Sequence, residues 1–451
     1  MARLFGTDGV RGVANQDLTA ELALQLSMAA AHVLAEAGAF GDRRPVALVG
    51  RDTRISGEFL DAAVCAGLAS AGVDVVRVGV VPTPGLAHLV AAQEADLGVM
   101  LSASHNPMPD NGIKFFQRGG VKLDDTIEDA IEARMDDPFE LPVGARVGHV
   151  TDDQGGLLSD YIDFLVASLG ETSLMGLKIV VDAANGAATQ TAVPAFERCG
   201  ARVVGINTAP DGLNINDGAG STHIEGLQRA VVEHGADLGV AMDGDADRCL
   251  AVDAAGNVVD GDQIMAILAI QAKQQGKLHN DTLVATIMSN LGLILAMKEH
   301  DIKVDQTKVG DRYVLESMQA NGFTLGGEQS GHVIIAEYAN TGDGVLTGLH
   351  LAAAVADSGK SLAELAGVMR RLPQVLVNVP NVDKLRAALD PEINQAVTAA
   401  NKELDGTGRV VLRPSGTEPL VRVMVEAGTQ EQADEVAHRL AALVASRLSL
   451  D

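Results

Sequence analysis

"ADLGVMLSASHNP" (Ala95–Pro107) and "ADLGVAMDGDADR" (Ala236–Arg248) share their first five residues, continue with an apolar pair and then part company. The shared segment has the apolar, β-branched character of a buried strand, and similar runs precede each copy. "PVALVG" (Pro45–Gly50) and "VDVVRVGVV" (Val73–Val81) come before the first; "LKIVVDAANG" (Leu177–Gly186) and "ARVVGIN" (Ala201–Asn207) come before the second. Helix-like Ala/Leu segments lie between them. Strand–helix–strand alternation implies parallel sheets faced by helices, and one motif recurring at the same place in that order implies duplicated α/β domains. A third round is visible in "TLVATIM" (Thr282–Met288), "IKVDQTKVG" (Ile302–Gly310) and "GFTLGGEQSGH" (Gly322–His332). In open α/β sheets ligands gather at the carboxyl ends of strands, which is where the two copies diverge.

The rest of the chain reads differently. "VLVNVP" (Val375–Pro380), "GRVVLRPSG" (Gly408–Gly416) and "LVRVMVEAG" (Leu420–Gly428) are strands, and Gln432–Leu448 is an amphipathic helix with Val436, Leu440, Leu443 and Val444 on one stripe. Two strands joined by the short "PSGTEP" turn predict a small α+β unit. The charged, Gly-rich stretch Asp136–Gly156 reads as a loop after the first domain.

With 451 residues the chain exceeds one ordinary core, and an apolar fraction of 47% is that of a globular protein. No run is long enough to span a membrane, and "MARLFGTDGVRG" lacks the apolar region of a secretory signal. Cys65, Cys199 and Cys249 are widely spaced, which excludes a disulfide framework or a zinc cluster and fits a cytoplasmic location. A net charge of −26 argues against a nucleic-acid partner. An anionic substrate would therefore have to be met locally, by Arg, Lys, backbone N–H groups or a metal ion.

"DGDADR" puts Asp243, Asp245 and Asp247 at alternate positions just after a strand. Clustered carboxylates repel one another without a cation, so a hard divalent ion is the natural partner. A calcium loop does not fit, because Arg248 stands where glycine is needed and Ala254 where glutamate is needed; one Mg²⁺ with room for a phosphate oxygen fits better. "SASHNP" offers Ser102, Ser104 and His105; a serine here could be a nucleophile, a phosphate acceptor or a helix cap. The esterase elbow is absent. Lys114 in "DNGIKFF" is a phosphate contact, a proton carrier or a surface lysine. "RPSGTEP" with Arg422 reads as a phosphate clamp or a plain hairpin turn, with Arg413 and Arg422 as cations and Ser415, Gly416 and Thr417 as backbone and hydroxyl donors. Glu328, Ser330 and His332 in "GGEQSGH" have the donors and acceptors that recognise sugar hydroxyls, or form a surface loop. "GTDGVRG" presents Arg11 on a glycine-shaped loop. The nearest approach to a nucleotide-binding P-loop, "AVADSGKS", has Ala354 in place of its first glycine.

Together "SASHNP", "DGDADR", "GEQSGH" and "RPSGTEP", in this order along essentially the whole chain, resemble the four loops of the α-D-phosphohexomutases. The resemblance implies an α/β fold of three related mixed α/β sheet domains plus a smaller α+β C-terminal domain around a central cleft, with limits at 1–155, 156–256, 257–370 and 371–451. It implies that Ser104 is phosphorylated in the resting enzyme, and that Asp243, Asp245 and Asp247 bind Mg²⁺ with a phosphoserine oxygen. It further implies that Glu328 and Ser330 hold sugar hydroxyls, and that Arg413, Ser415, Gly416, Thr417 and Arg422 hold the non-reacting phosphate. Arg11, His105, Lys114, Arg248 and His332 match residues near the transferring group. Gln329, "FGTDGVRG", "DGLNINDGAGSTH" (Asp211–His223) and "TKVGDRYV" (Thr307–Val314) are similar to the glucosamine branch of that family. The implied activity is reversible conversion of glucosamine 6-phosphate to glucosamine 1-phosphate through a bisphosphate, supplying UDP-N-acetylglucosamine and peptidoglycan synthesis. Glucose or mannose phosphate mutase activity and a metal-dependent phosphatase are the alternatives. The expected partner is a hexosamine phosphate, with no membrane or nucleic acid, and a homodimer is the candidate assembly.

Overall fold

The structure, a computed structural model, describes residues 3–6, 8–40, 43–135, 137, 140–415 and 420–450. The chain divides into two compact units, one of residues 1–287 and 302–367 and one of residues 288–301 and 368–451. Among the described residues no helix is long and apolar enough to cross a membrane.

The larger unit contains three sheets. The first is built from β1 (Val10–Val13), β2 (Val46–Arg51), β3 (Asp74–Val80), β4 (Leu97–Leu101), β5 (Asp110–Gln117), β6 (Val121–Lys122) and β7 (Val150–Asp152), in the order β1-β5-β4-β2-β3-β7 with β6 beside β5. The second contains β8 (Lys178–Asp182), β9 (Arg202–Ile206), β10 (Leu238–Met242), β11 (Cys249–Asp253) and β12 (Val258–Val259), ordered β12-β11-β10-β8-β9. The third contains β13 (Thr282–Thr286), β14 (Lys303–Thr307), β15 (Leu325–Gly327) and β16 (Val333–Ile335), ordered β14-β13-β15-β16. Stripped of additions, the three orders are one: β3-β2-β4-β5, β9-β8-β10-β11 and β14-β13-β15-β16. The two "ADLGV" segments supply β4 and β10, equivalent strands of equivalent sheets.

The alternation in sequence predicted parallel strands, and three of each core four are parallel. The fourth runs antiparallel, because a short turn and not a helix joins it to its neighbour. Each turn is one of the singled-out loops: residues 102–109 between β4 and β5, 243–248 between β10 and β11, and 328–332 between β15 and β16. All residues of β4 and β10 are buried, which explains the unbroken apolar runs. Helices Ala20–Glu36, whose N-cap Thr19 accepts the Leu22 N–H, and Ser56–Ser70 pack on the first sheet through Leu26, Leu60, Val64 and Leu68.

The stretch expected to be a loop after the first domain contains β7, which extends the first sheet parallel to β3. Its three residues are exposed, so no apolar pattern announces it.

In the smaller unit, β17 (Gln374–Pro380), β18 (Arg409–Pro414) and β19 (Leu420–Glu426) form an antiparallel sheet ordered β17-β19-β18. Helices Pro391–Leu404 and Gln430–Leu448 cover it, with Val436, Leu440 and Val444 in the core as the stripe predicts and Leu443 packed against it. Helix Leu291–Glu299 belongs to this unit: buried Glu426 accepts from the Asn290 side chain and the Leu291 N–H.

Candidate active site

Ser104 follows β4 in a left-handed conformation, φ 51°, unusual for a residue with a Cβ. A buried frame holds it there. The Ser104 N–H donates to Ser102 Oγ (3.0 Å), and that hydroxyl donates to Asp52 Oδ2 (2.6 Å). Asp52 pairs with the guanidinium of Arg54, both fully buried. Arg54 Nη2 donates to the carbonyls of Ser104 (3.2 Å) and Asn106 (2.6 Å), and Asn216 Nδ2 donates to the same two (2.9 and 3.2 Å). Of the two serines, Ser104 meets the acidic loop and Ser102 supports it.

Ser104 Oγ donates to Asp243 Oδ2 at 2.6 Å and lies 3.3 Å from His105 Nδ1. Asp243, Asp245 and Asp247 are buried, each offering a ligand atom within 4.8 Å of the others. Burial and the neighbouring Asp247 and Asp245 carboxylates push Asp243 well above the ordinary carboxylate range. Asp245 behaves oppositely: burial raises it, but the Lys114 ammonium, 2.8 Å away, and the Thr83 hydroxyl, 2.6 Å away, hold it below. Asp245 Oδ1 and Asp247 Oδ1 are buried without a hydrogen-bond partner. Three converging carboxylates, two of their oxygens buried without a hydrogen bond and one charge disfavoured, are a donor set of the kind that a hard metal ion takes, so the triad fits such an ion. Phosphorylation of Ser104 would remove the proton that joins it to Asp243 and add negative charge, making that cation more necessary still.

The cleft in front of this loop, about 420 Å³, is lined by Arg11, Ser104, His105, Asp247, Arg248, Glu328 and His332 among others. Each belongs to the larger unit, so three sheets deliver predicted residues to one place. Lys114 lies buried behind, bridging Asp245 and Asp8 (2.7 Å); despite burial, these carboxylates hold its ammonium above the ordinary range. It therefore sits as a fixed cation. Burial and the nearby Arg248 and Arg11 guanidiniums lower the His105 imidazole to about 4, leaving it neutral. His332 Nε2 accepts the Gly342 N–H (3.2 Å), and its Nδ1 is buried without a partner. The Nε atoms of Arg11 and Arg248 are likewise buried without a hydrogen-bond partner. Glu328 Oε1 accepts the Gly310 N–H at 3.1 Å. Ser330 is not among the residues lining the cleft; its Oγ is buried without a partner.

In the smaller unit Arg413 and Arg422 are register partners across β18 and β19. Like charges directly opposite are unfavourable, which suits a place that receives an anion. The Ser415 N–H donates to the Leu420 carbonyl (2.9 Å), and Lys384 Nζ donates to the Ser415 carbonyl (2.7 Å), adding a cation beside the turn. Gly416 and Thr417 lie outside the described residues.

Sequence reasoning missed Asp8, Asp52, Arg54, Thr83, Lys122, Asn216, Asp311 and Lys384. A usable signal exists for Asp52 and Arg54, charged residues immediately after the apolar strand β2. Asp8 stands within "GTDGVRG", Asn216 within "DGLNINDGAGSTH" and Asp311 within "TKVGDRYV".

Four consecutive family domains match the chain: phosphoglucomutase/phosphomannomutase alpha/beta/alpha domain I over residues 2–141, domain II over 159–256, domain III over 260–372 and the C-terminal domain over 375–443. The phosphoglucosamine mutase of Cutibacterium acnes is 68% identical over 451 residues, covering 100% of both chains. That of Streptomyces griseus is 64% identical over 453 residues, covering 99% of this chain and 100% of its own. Among solved structures, a phosphoglucomutase/phosphomannomutase family protein from Burkholderia thailandensis has a TM-score of 0.82 at 25% identity, covering 99% of this chain and 98% of its own.

Proposed function

Since the chain belongs to the phosphoglucomutase/phosphomannomutase family, we propose that it reversibly converts α-D-glucosamine 6-phosphate to α-D-glucosamine 1-phosphate through a phosphoserine enzyme and a 1,6-bisphosphate. The observation that carries this reading is the Ser104 hydroxyl, 2.6 Å from a carboxylate cluster in need of a cation and facing a cleft lined by arginines.

In the forward step the sugar's free hydroxyl oxygen attacks the phosphorus on Ser104. The new P–O(sugar) bond forms as the P–Oγ bond breaks; the sugar hydroxyl proton passes to a cleft base, and the departing Ser104 oxygen takes up a proton to become the free hydroxyl. Mg²⁺ held by Asp243, Asp245 and Asp247 would draw negative charge from the phosphoryl oxygens. Arg11 and Arg248, whose Nε atoms make no hydrogen bond, offer guanidinium donors to the same oxygens, while Lys114 fixes Asp245 in its ionised form. Glu328 orients sugar hydroxyls from a backbone-anchored position. Neutral His105 and the free Nδ1 of His332 are the groups able to exchange the proton. The bisphosphate then presents its other phosphate, which returns to Ser104. Arg413, Ser415, Gly416, Thr417 and Arg422 hold the phosphate that is not reacting. Positioning and charge neutralisation supply most of the rate in such transfers. Buried, unpaired Cys65, Cys199 and Cys249 suit the reducing cytoplasm, where the product would enter UDP-N-acetylglucosamine and peptidoglycan synthesis.

Comparison of kcat/KM for glucosamine, glucose and mannose phosphates tests the substrate. Preference for glucosamine supports the reading, whereas phosphate release without isomerisation contradicts it. Chelation should abolish turnover and Mg²⁺ should restore it.

A further inference from the structure

Glucosamine phosphate carries a 2-amino group, protonated for much of the physiological range, and the cleft it must enter is lined with arginines and backed by lysines. An ammonium is accommodated there only beside a carboxylate whose charge is not already neutralised. Asp8, Asp247, Asp311 and Glu328 are the carboxylates among the described residues lining the cleft. Asp247 belongs to the metal cluster. Asp8 is saturated, lying 2.5 Å from Arg11 Nη2 and 2.7 Å from both Lys114 Nζ and Lys122 Nζ.

Asp311 differs. Among the described residues Lys122, at 2.5 Å, is its one lysine or arginine partner within ion-pair distance, and Lys122 divides its charge between Asp311 and Asp8. His332 Nε2 is 4.0 Å away and already accepts the Gly342 N–H. Arg312, next in sequence, turns its guanidinium to Asp125 and the Leu123 carbonyl. Asp311 Oδ1 accepts only the Arg312 N–H (2.9 Å) among the hydrogen bonds formed, and the side chain remains 20% exposed. Its position is also apt. Gly310, immediately before it, donates to Glu328, so the hydroxyl-binding carboxylate and Asp311 border the same side of the cleft. Adjacent carboxylates match adjacent ring substituents, one a hydroxyl and one an amine.

We infer that Asp311 receives the 2-ammonium group and so selects the amino sugar over the corresponding hexose. This rests on the hexosamine reading above. The test compares binding of glucosamine 1-phosphate and glucose 1-phosphate by calorimetry, and kcat/KM for the former, in wild type, Asp311→Asn and Lys122→Met. A charge-assisted hydrogen bond predicts that Asp311→Asn weakens glucosamine 1-phosphate roughly 10- to 100-fold more than glucose 1-phosphate. Lys122→Met leaves the Asp311 charge in place and uncompensated, so the preference for the amine holds or rises in that variant. Equal weakening of both ligands by Asp311→Asn, or loss of the preference in Lys122→Met, overturns the assignment while leaving the mutase reading intact. Wild-type protein that does not prefer glucosamine 1-phosphate removes the premise and the assignment together.

Discussion

Gly244 stands between Asp243 and Asp245 with no room for a side chain. A methyl group there would lie 2.6 Å from the Ser104 carbonyl oxygen, 2.7 Å from Asn216 Nδ2 and 2.9 Å from Ile215 Cδ1. These neighbours cannot recede one at a time. Asn216 is bonded to the Ser104 carbonyl, and Gly244 accepts the Ala187 N–H at 2.8 Å. A carbon needs roughly 3.3 Å from a carbonyl oxygen, so Gly244→Ala must part the two loops by on the order of 0.7 Å. Misplacement of reacting groups by about 1 Å costs up to roughly 100-fold. Overpacking of this kind costs about 1–3 kcal/mol, too little to unfold most proteins. The expected result is therefore a folded enzyme whose kcat is lower by roughly 10- to 100-fold. The assay is steady-state turnover of glucosamine 1-phosphate after intact mass has shown equal Ser104 phosphorylation in variant and wild type. Gly156→Ala is the control, since its methyl meets only Asp153 Oδ1 at 3.8 Å. A kcat for Gly244→Ala within about twofold of the control would refute the claim that loop spacing sets the rate.

Ser104→Ala should abolish turnover, whereas Ser102→Ala, which loses two supporting hydrogen bonds worth about 1 kcal/mol each, should keep part of it; peptide mass spectrometry locating the phosphate on Ser102 would reverse the assignment. Arg54→Met strands the buried Asp52 charge and should cost about 3–5 kcal/mol in denaturation, part of which Asp52→Asn/Arg54→Met recovers; equal losses in the single and double variants would argue against the pairing. Burial lowers the His350 imidazole to about 4, so the unfolded chain takes up its proton first and stability falls as pH drops from the ordinary histidine range to 4. Asp343, raised to about 6 by burial, acts in the opposite sense, its cost growing as pH rises through that range. His350→Leu should therefore shrink the loss of Tm between neutral and mildly acidic buffer, and an unchanged loss would contradict the assigned cause.

Much of the frame was legible because buried parallel strands must be apolar on both faces. β4 and β10 declared themselves, and the residues after them named the chemistry. Antiparallel pairing of β5, β11 and β16 was harder to read, since it depends on the return of the chain after a loop and leaves no period of its own. β7 was illegible for the opposite reason: its exposed residues carry no apolar signature. At the site, the residues proposed to touch ligand stood out as motifs. The residues that hold them did not, because Asp52 acts through Ser102, and Arg54 and Asn216 through the Ser104 and Asn106 carbonyls, across wide sequence separations. Ser102 and Ser104 could be ranked by resemblance only; the hydrogen bonds give the ranking a physical basis, one serine facing Asp243 and the other bracing its backbone.

The three loops of the larger unit each begin and end on neighbouring strands of one sheet. Strand neighbours are about 4.8 Å apart, so each loop has both feet planted side by side and little freedom to swing like a lid. Such loops are stationary tools. On the proposed route, a bisphosphate that must offer first one end and then the other is not followed by these loops, and the sugar turns relative to them. The same anchoring makes each loop a replaceable cartridge: residues 328–332 or 243–248 could be exchanged for those of a relative while the strands on either side keep their register.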